Sequence, residues 1–88
     1  MNRTKLIETG RPFKFSAENT KRLEAICAKY PTERRASALL PALDLAQRQN
    51  DNWISKEVVE TIAATIGVPP IRVFEVASFY TMYNLEPV

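Results

Sequence analysis

The chain has 88 residues, 45% of them hydrophobic and 25% charged, and 12 basic against 10 acidic residues leave a formal charge of +2. That length allows one domain with a thin stability margin, and that charge is too small to argue for nucleic acid. One cysteine and no histidine exclude a structural zinc site, a four-thiolate iron–sulfur cluster, an internal disulfide and any nucleophile that needs a histidine base.

Residues 1–15 read as an irregular lead-in, with Arg3, Lys5, Arg11 and Lys14 set against Glu8. A solvated terminus explains this basic stretch better than an arm for an acidic partner. Phe13 and Phe15 are expected to pack onto the body. Ser16 predicts an N-cap, because its hydroxyl can accept a free N–H of a first turn. The first helix then runs from Ala17 to Lys29, with Leu23, Ile26, Cys27 and Tyr30 on one apolar stripe. Glu18 and Arg22 are placed to pair on its wet face, and Cys27 reads as a small core residue. Pro31 ends this helix. Thr32 caps a second one over Glu33–Gln49, which buries Ala36, Leu39, Leu40, Leu43 and Ala46. Pro41 falls in the middle of it. The proline removes a donor and crowds the Ser37 carbonyl, so a kink is predicted. A break into two short helices is the weaker alternative, since the apolar period continues across it.

Asn50-Asp51-Asn52 is a turn cluster, and Trp53 after it reads as a core plug. Ser55 caps a third helix, Lys56–Ile66, with Ile54 and Val59 set as a hydrophobic staple. Val58, Val59, Ile62, Ala63 and Ile66 form its core face, while Glu57 and Glu60 read as solvated. Gly67 stops the helix in a left-handed conformation. Val68-Pro69-Pro70 is a rigid connector, with Pro70 suited to a first helical position. The fourth helix runs to Tyr83 and buries Val73, Val76, Ala77 and Tyr80. Asn84–Val88 is an extended piece that closes nothing. The fold class is therefore all-α, a small four-helix bundle-like domain over 16–84 with its lead-in at 1–15. No apolar run approaches the ~18–20 residues of a membrane span, and an odd thiol fits a reducing compartment.

The fourth helix is apolar on more than one side. At 100° per residue, Ile71, Phe74 and Met82 point away from the Val73–Tyr80 stripe, with Phe79 between the two sides. Either the small bundle wraps this helix on most sides as its central element, or further chain or a partner covers the second face; the second reading is favoured, since an exposed patch would be an aggregation hazard. The segment Glu57–Ser78 has the general shape of a helix-turn-helix. Its second helix offers only Arg72 as a base, beside Glu75, which argues against reading DNA.

Several runs resemble a known family. They are Tyr30-Pro31, Ser37-Ala38-Leu39-Leu40-Pro41-Ala42-Leu43, Leu45-Ala46-Gln47 and Asn52-Trp53-Ile54-Ser55. The most specific is Gly67-Val68-Pro69-Pro70-Ile71-Arg72-Val73-Phe74-Glu75-Val76-Ala77-Ser78-Phe79-Tyr80-Thr81-Met82-Tyr83. Together they resemble the N-terminal region of the thioredoxin-like [2Fe–2S] subunits of respiratory NADH:quinone oxidoreductase, complex I, over about residues 14–88. The resemblance implies a subunit of an NADH dehydrogenase, in which electrons pass from NADH through flavin and iron–sulfur clusters to quinone. It also implies that this chain is the helical domain only. Residues 85–88 would begin a linker to a thioredoxin-like [2Fe–2S] domain absent here, and the CxxxxC and CxxxC cluster cysteines would lie beyond Val88. Cys27 matches none of them, so no cofactor is expected on this chain.

The partners implied are the flavin-bearing NADH-binding subunit and the chain's own thioredoxin-like domain, with no nucleic acid and no membrane insertion. The location implied is the peripheral arm, on the cytoplasmic or mitochondrial matrix side of the inner membrane. NAD-dependent formate dehydrogenases and NAD-reducing hydrogenases use a similar subunit. Helix geometry nominates Ile71, Arg72, Phe74, Phe79, Met82 and Tyr83 as the contacts to a partner or to that following domain.

Overall fold

The computed structural model of the chain describes residues 6–30, 37–79 and 83–86. Its order is α1 (Ala17–Ala28), α2 (Leu39–Gln49), α3 (Lys56–Ile66) and α4 (Pro70–Phe79), with no strand among the described residues. α4 packs chiefly on α3, and α2 touches each of the other three helices. The core is built from Leu23 of α1, Leu39 and Leu43 of α2, Val58, Ile62 and Ile66 of α3, and Val73 and Ala77 of α4.

Local chemistry sets most helix ends. The Ser16 hydroxyl accepts from Asn19 N–H at 3.1 Å, and the Ser55 hydroxyl from Val58 N–H at 3.3 Å. Each satisfies one of the donors that a first turn leaves without an intrahelical partner. Ile54 and Val59, on either side of the Ser55 cap, are both buried. Gly67 stops α3 with φ +87, a conformation that costs a residue with a Cβ about 1–2 kcal/mol. On α1, Glu18 and Arg22 pair at 3.5 Å as the spacing predicts, though both are well exposed.

The second helix departs from the expectation. Ser37 and Ala38 form a 3₁₀ turn, and α-helix begins at Leu39. Within α2, Pro41 therefore lies in the first turn, where its missing N–H has no partner inside that helix to lose. In the described helix, Leu39–Gln49, Pro41 is thus not an interior residue. Ala38 stands at the N-cap with no side-chain bond. Thr32 and Glu33–Ala36, on which the longer helix rests, lie outside the described residues. Leu40, expected in the core, is 38% exposed, whereas Leu39 and Leu43, expected there too, are buried. Trp53, expected as a core plug, is only half-buried.

The described part of the lead-in, residues 6–15, is tied down at several points. Phe15 is buried, and its ring meets that of Phe13 edge-on at 5.3 Å. Gln49, at the end of α2, joins three pieces of chain. Its Oε1 accepts from Ser16 N–H and Asn19 Nδ2, and its Nε2 donates to Lys14 O.

The tail is not an extended piece that closes nothing. Tyr83 and Leu85 are 2% and 5% exposed and belong to the core. They go in because both are large apolar side chains two positions apart in non-helical chain, the spacing that places them on one side of the backbone. Asn84 between them is held by hydrogen bonds to the end of α2 and the turn that follows it. Packed chain thus reaches Leu85, one residue into the stretch expected to be linker.

Candidate docking surface

Gly67 and the two prolines turn the chain through 119° between α3 and α4. α4 then lies with Val73 and Ala77 buried and Val76 half-buried. Ile71, Glu75 and Phe79 follow at i, i+4 and i+8, a spacing that keeps them on one side of a helix. That side faces out: Ile71 is 60% exposed and Phe79 80%. Arg72 lies beside it, with Nε 3.8 Å from Glu75 Oε1, and both side chains are well exposed.

The structure exchanges two of the expected roles. Helix geometry alone points Phe74 away from the buried stripe and sets Phe79 between two sides. Instead, Phe74 is half-buried and packs against the core, whereas Phe79 is the most exposed large apolar side chain among the described residues. The cause lies in the surrounding chain. Phe74 sits on the flank of α4 where α3 and the lead-in pass, and with Ile71, Pro70, Val59 and Leu6 it lines a groove of about 490 Å³. Tyr83, also nominated as a contact, is inside the core, and its hydroxyl donates to Leu40 O at 3.1 Å. Met82 and Tyr80 lie outside the described residues. The stripe that remains is Ile71, Arg72 and Phe79, with Phe74 at its edge.

Glu57 organises this side of the molecule, although its sequence context suggests only a solvated acid. It lies in the first turn of α3 and reaches across to the lead-in. Its Oε1 accepts from Thr9 N–H at 3.2 Å and from the Thr9 hydroxyl at 3.0 Å, and its Oε2 accepts from Gly10 N–H at 2.9 Å. Desolvation against the lead-in pushes this carboxyl up. Hydrogen bonds from Thr9 N–H, its own N–H, Gly10 N–H and the Thr9 hydroxyl outweigh that and hold it at about 2, against an ordinary 4.5. Next to it, Lys56 N–H donates to Ile7 O at 2.9 Å, so the lead-in supplies an acceptor for another first-turn donor of α3. Lys56 Nζ lies 3.7 Å from Glu8, an exposed pair of little energetic weight. These contacts place Leu6 in the groove wall opposite α4. An acid in a helix's first turn is a visible signal, but its partners are 47 and 48 residues away.

The donor set does not fit an iron–sulfur cluster on this chain. A [2Fe–2S] cluster takes four thiolates, and the chain has one cysteine, Cys27, half-buried in α1. Among the described residues no three of His, Cys, Asp or Glu converge, and no single described helix is long and apolar enough to cross a membrane. What the outer side of α4 can offer is apolar contact area with one ion pair beside it.

Residues 23–88 match the family model described as thioredoxin-like [2Fe-2S] ferredoxin. The chain is similar to "NADH dehydrogenase [ubiquinone] flavoprotein 2, mitochondrial" of Dictyostelium discoideum, at 53% identity over 73 residues, which are 83% of this chain and 30% of that protein. It is similar to the E subunit of the NADH-quinone oxidoreductase of Rickettsia bellii, at 49% over 76 residues, 86% of this chain and 46% of that one. The corresponding protein of Rickettsia prowazekii is 47% identical over 76 residues, 86% of this chain and 43% of that one. The chain thus spans less than half the length of each of these relatives.

Proposed function

The chain belongs to the thioredoxin-like [2Fe-2S] ferredoxin family, and from that premise we propose that it is the helical assembly domain of the [2Fe–2S] subunit of an NADH:quinone oxidoreductase. In this reading the whole protein takes part in passing electrons from NADH through flavin and iron–sulfur clusters to quinone. The cluster belongs to a thioredoxin-like domain that follows the helical one. The helical domain, with no redox group of its own, holds that domain against the flavin-bearing NADH-binding subunit. The complex's peripheral arm, on the cytoplasmic or matrix side of the inner membrane, is where this protein would work.

The observation that carries the proposal is the outer side of α4. Ile71 and Phe79 are 60% and 80% exposed within the stretch of chain that matches the family. Large apolar side chains presented together mark contact surfaces, and aromatic anchors dominate binding energy where they are buried by a partner. We assign the contact to Ile71, Arg72 and Phe79, with Phe74 at its margin. The names of the relatives favour NADH dehydrogenase over the formate dehydrogenase and hydrogenase alternatives. DNA reading is disfavoured, because Arg72, the one base of α4, faces Glu75.

Co-expression tests this. The full-length polypeptide, with its following domain, is produced together with the flavin-bearing subunit and recovered through a tag on the latter. Wild type co-purifies. Ile71→Asp combined with Phe79→Asp lowers recovery by at least about tenfold, since hot-spot truncations cost on the order of 2 kcal/mol or more. Far-UV circular dichroism stays unchanged, because both side chains are exposed. Undiminished recovery of the double variant would place the contact elsewhere. Phe74→Asp is a poorer probe, because Phe74 also packs on the core.

A further inference from the structure

We propose that Tyr83–Leu85 is a clasp that fixes the direction in which the polypeptide leaves the helical domain, so that a following domain is carried in a set orientation and not on a free tether. That a domain is carried at all rests on the proposed function, in which a thioredoxin-like domain follows.

Chain near the edge of a domain frays unless something ties it down. Here the ties are specific. Tyr83 and Leu85 insert into the core on either side of exposed Asn84. Asn84 O accepts from Ile54 N–H at 2.7 Å, Asn84 N–H donates to Gln47 Oε1 at 2.8 Å, and Asn84 Nδ2 donates to Asn52 O at 2.8 Å. The socket is itself shaped. Asp51 and Asn52 adopt φ of +55 and +66, a left-handed turn that few side chains tolerate as well as Asp and Asn. That turn presents the Asn52 carbonyl and the Ile54 amide to one residue. A second anchor lies at the other end of α2, where the Tyr83 hydroxyl reaches Leu40 O. Leu40 and Gln47 are seven residues apart on a helix rising 1.5 Å per residue, so the anchor points are about 10 Å apart. Two separated anchors resist rotation of the exiting chain, which one hydrogen bond would not.

The test has two parts. In the 88-residue chain, backbone ¹⁵N relaxation of Tyr83–Glu86 should match that of α2 and α3. Exchange of the Ile54 amide, which lies outside every helix, should be slow. Asn84→Ala and, separately, Gln47→Ala should each speed Ile54 exchange by about three- to tenfold, the share of one hydrogen bond. In the full-length polypeptide, residual dipolar couplings should report one common alignment for both domains. The alignments should diverge in the same two variants. Tail amides as mobile as a free terminus, variants that leave Ile54 exchange unchanged, or two independently aligned domains in wild type would each overturn the proposal. None of these results bears on the family membership or on the proposed function, which fails separately if the full-length polypeptide shows no [2Fe–2S] absorption.

Discussion

At the scale of single residues, Glu57 shows how a side chain can be read correctly as polar and still be misplaced. Its position in a first turn is favourable for a negative charge, which is legible in the sequence. Its clamp on Thr9 and Gly10 is not, because nothing local relates residues 47 and 48 positions apart. The clamp has a pH signature. Its carboxyl is held at about 2 against an ordinary 4.5. The ionised form is thus favoured by folding, so its contribution is complete above pH 4.5 and is lost as pH falls through about 2. The Thr9 and Gly10 amide resonances should therefore titrate with a midpoint near 2, and a midpoint near 4.5 would show that the clamp is absent. Glu57→Gln turns an N–H donor toward donors of the lead-in, and those two amides should exchange faster at every pH while α3 keeps its helicity.

At the scale of elements, what can be read is what is decided within one turn of chain. Ser16, Ser55 and Gly67 act on neighbours three or four residues away, and all three terminate helices as their chemistry predicts. Ser55→Ala should lower stability by about 1 kcal/mol in thermal or urea unfolding, the usual loss for such a cap. Gly67→Ala should lower it by about 1–2 kcal/mol through its left-handed backbone. Pro41 is misplaced by periodicity, because an apolar pattern continues through a 3₁₀ turn much as through an α-turn over a few residues. The pattern alone cannot locate the start of α2. With Pro41 in the first turn, Pro41→Ala should change stability by less than about 0.5 kcal/mol. An interior proline would instead gain about 3 kcal/mol on replacement. The tail escapes for the opposite reason. Asn84 is bound by Gln47, Asn52 and Ile54, all 30 or more positions back, and the short span Asn84–Val88 carries no periodicity to announce it.

At the scale of the molecule, the helices and their order, the buried face of α3 and the connection into α4 follow from periodicity, caps and prolines, and the described residues have them. The outer side of α4 is legible in outline, as an excess of apolar residues. Its membership is not, because a helical wheel does not show which flank the lead-in covers. Leu6 and Val59 occupy the flank of Phe74, which leaves Ile71 and Phe79 as the exposed pair. In the proposed function, a helical domain that presents such a pair, and whose exit is clasped at both ends of α2, sets the position of a neighbour.

Hydroxyl-radical footprinting of the full-length polypeptide, alone and with the flavin-bearing subunit, tests that claim most directly. Oxidation of Phe79 and Ile71 should fall several-fold on complex formation, while Leu40, also exposed but on α2, keeps its rate. Equal oxidation of Phe79 and Ile71 in the free and assembled states would contradict the account.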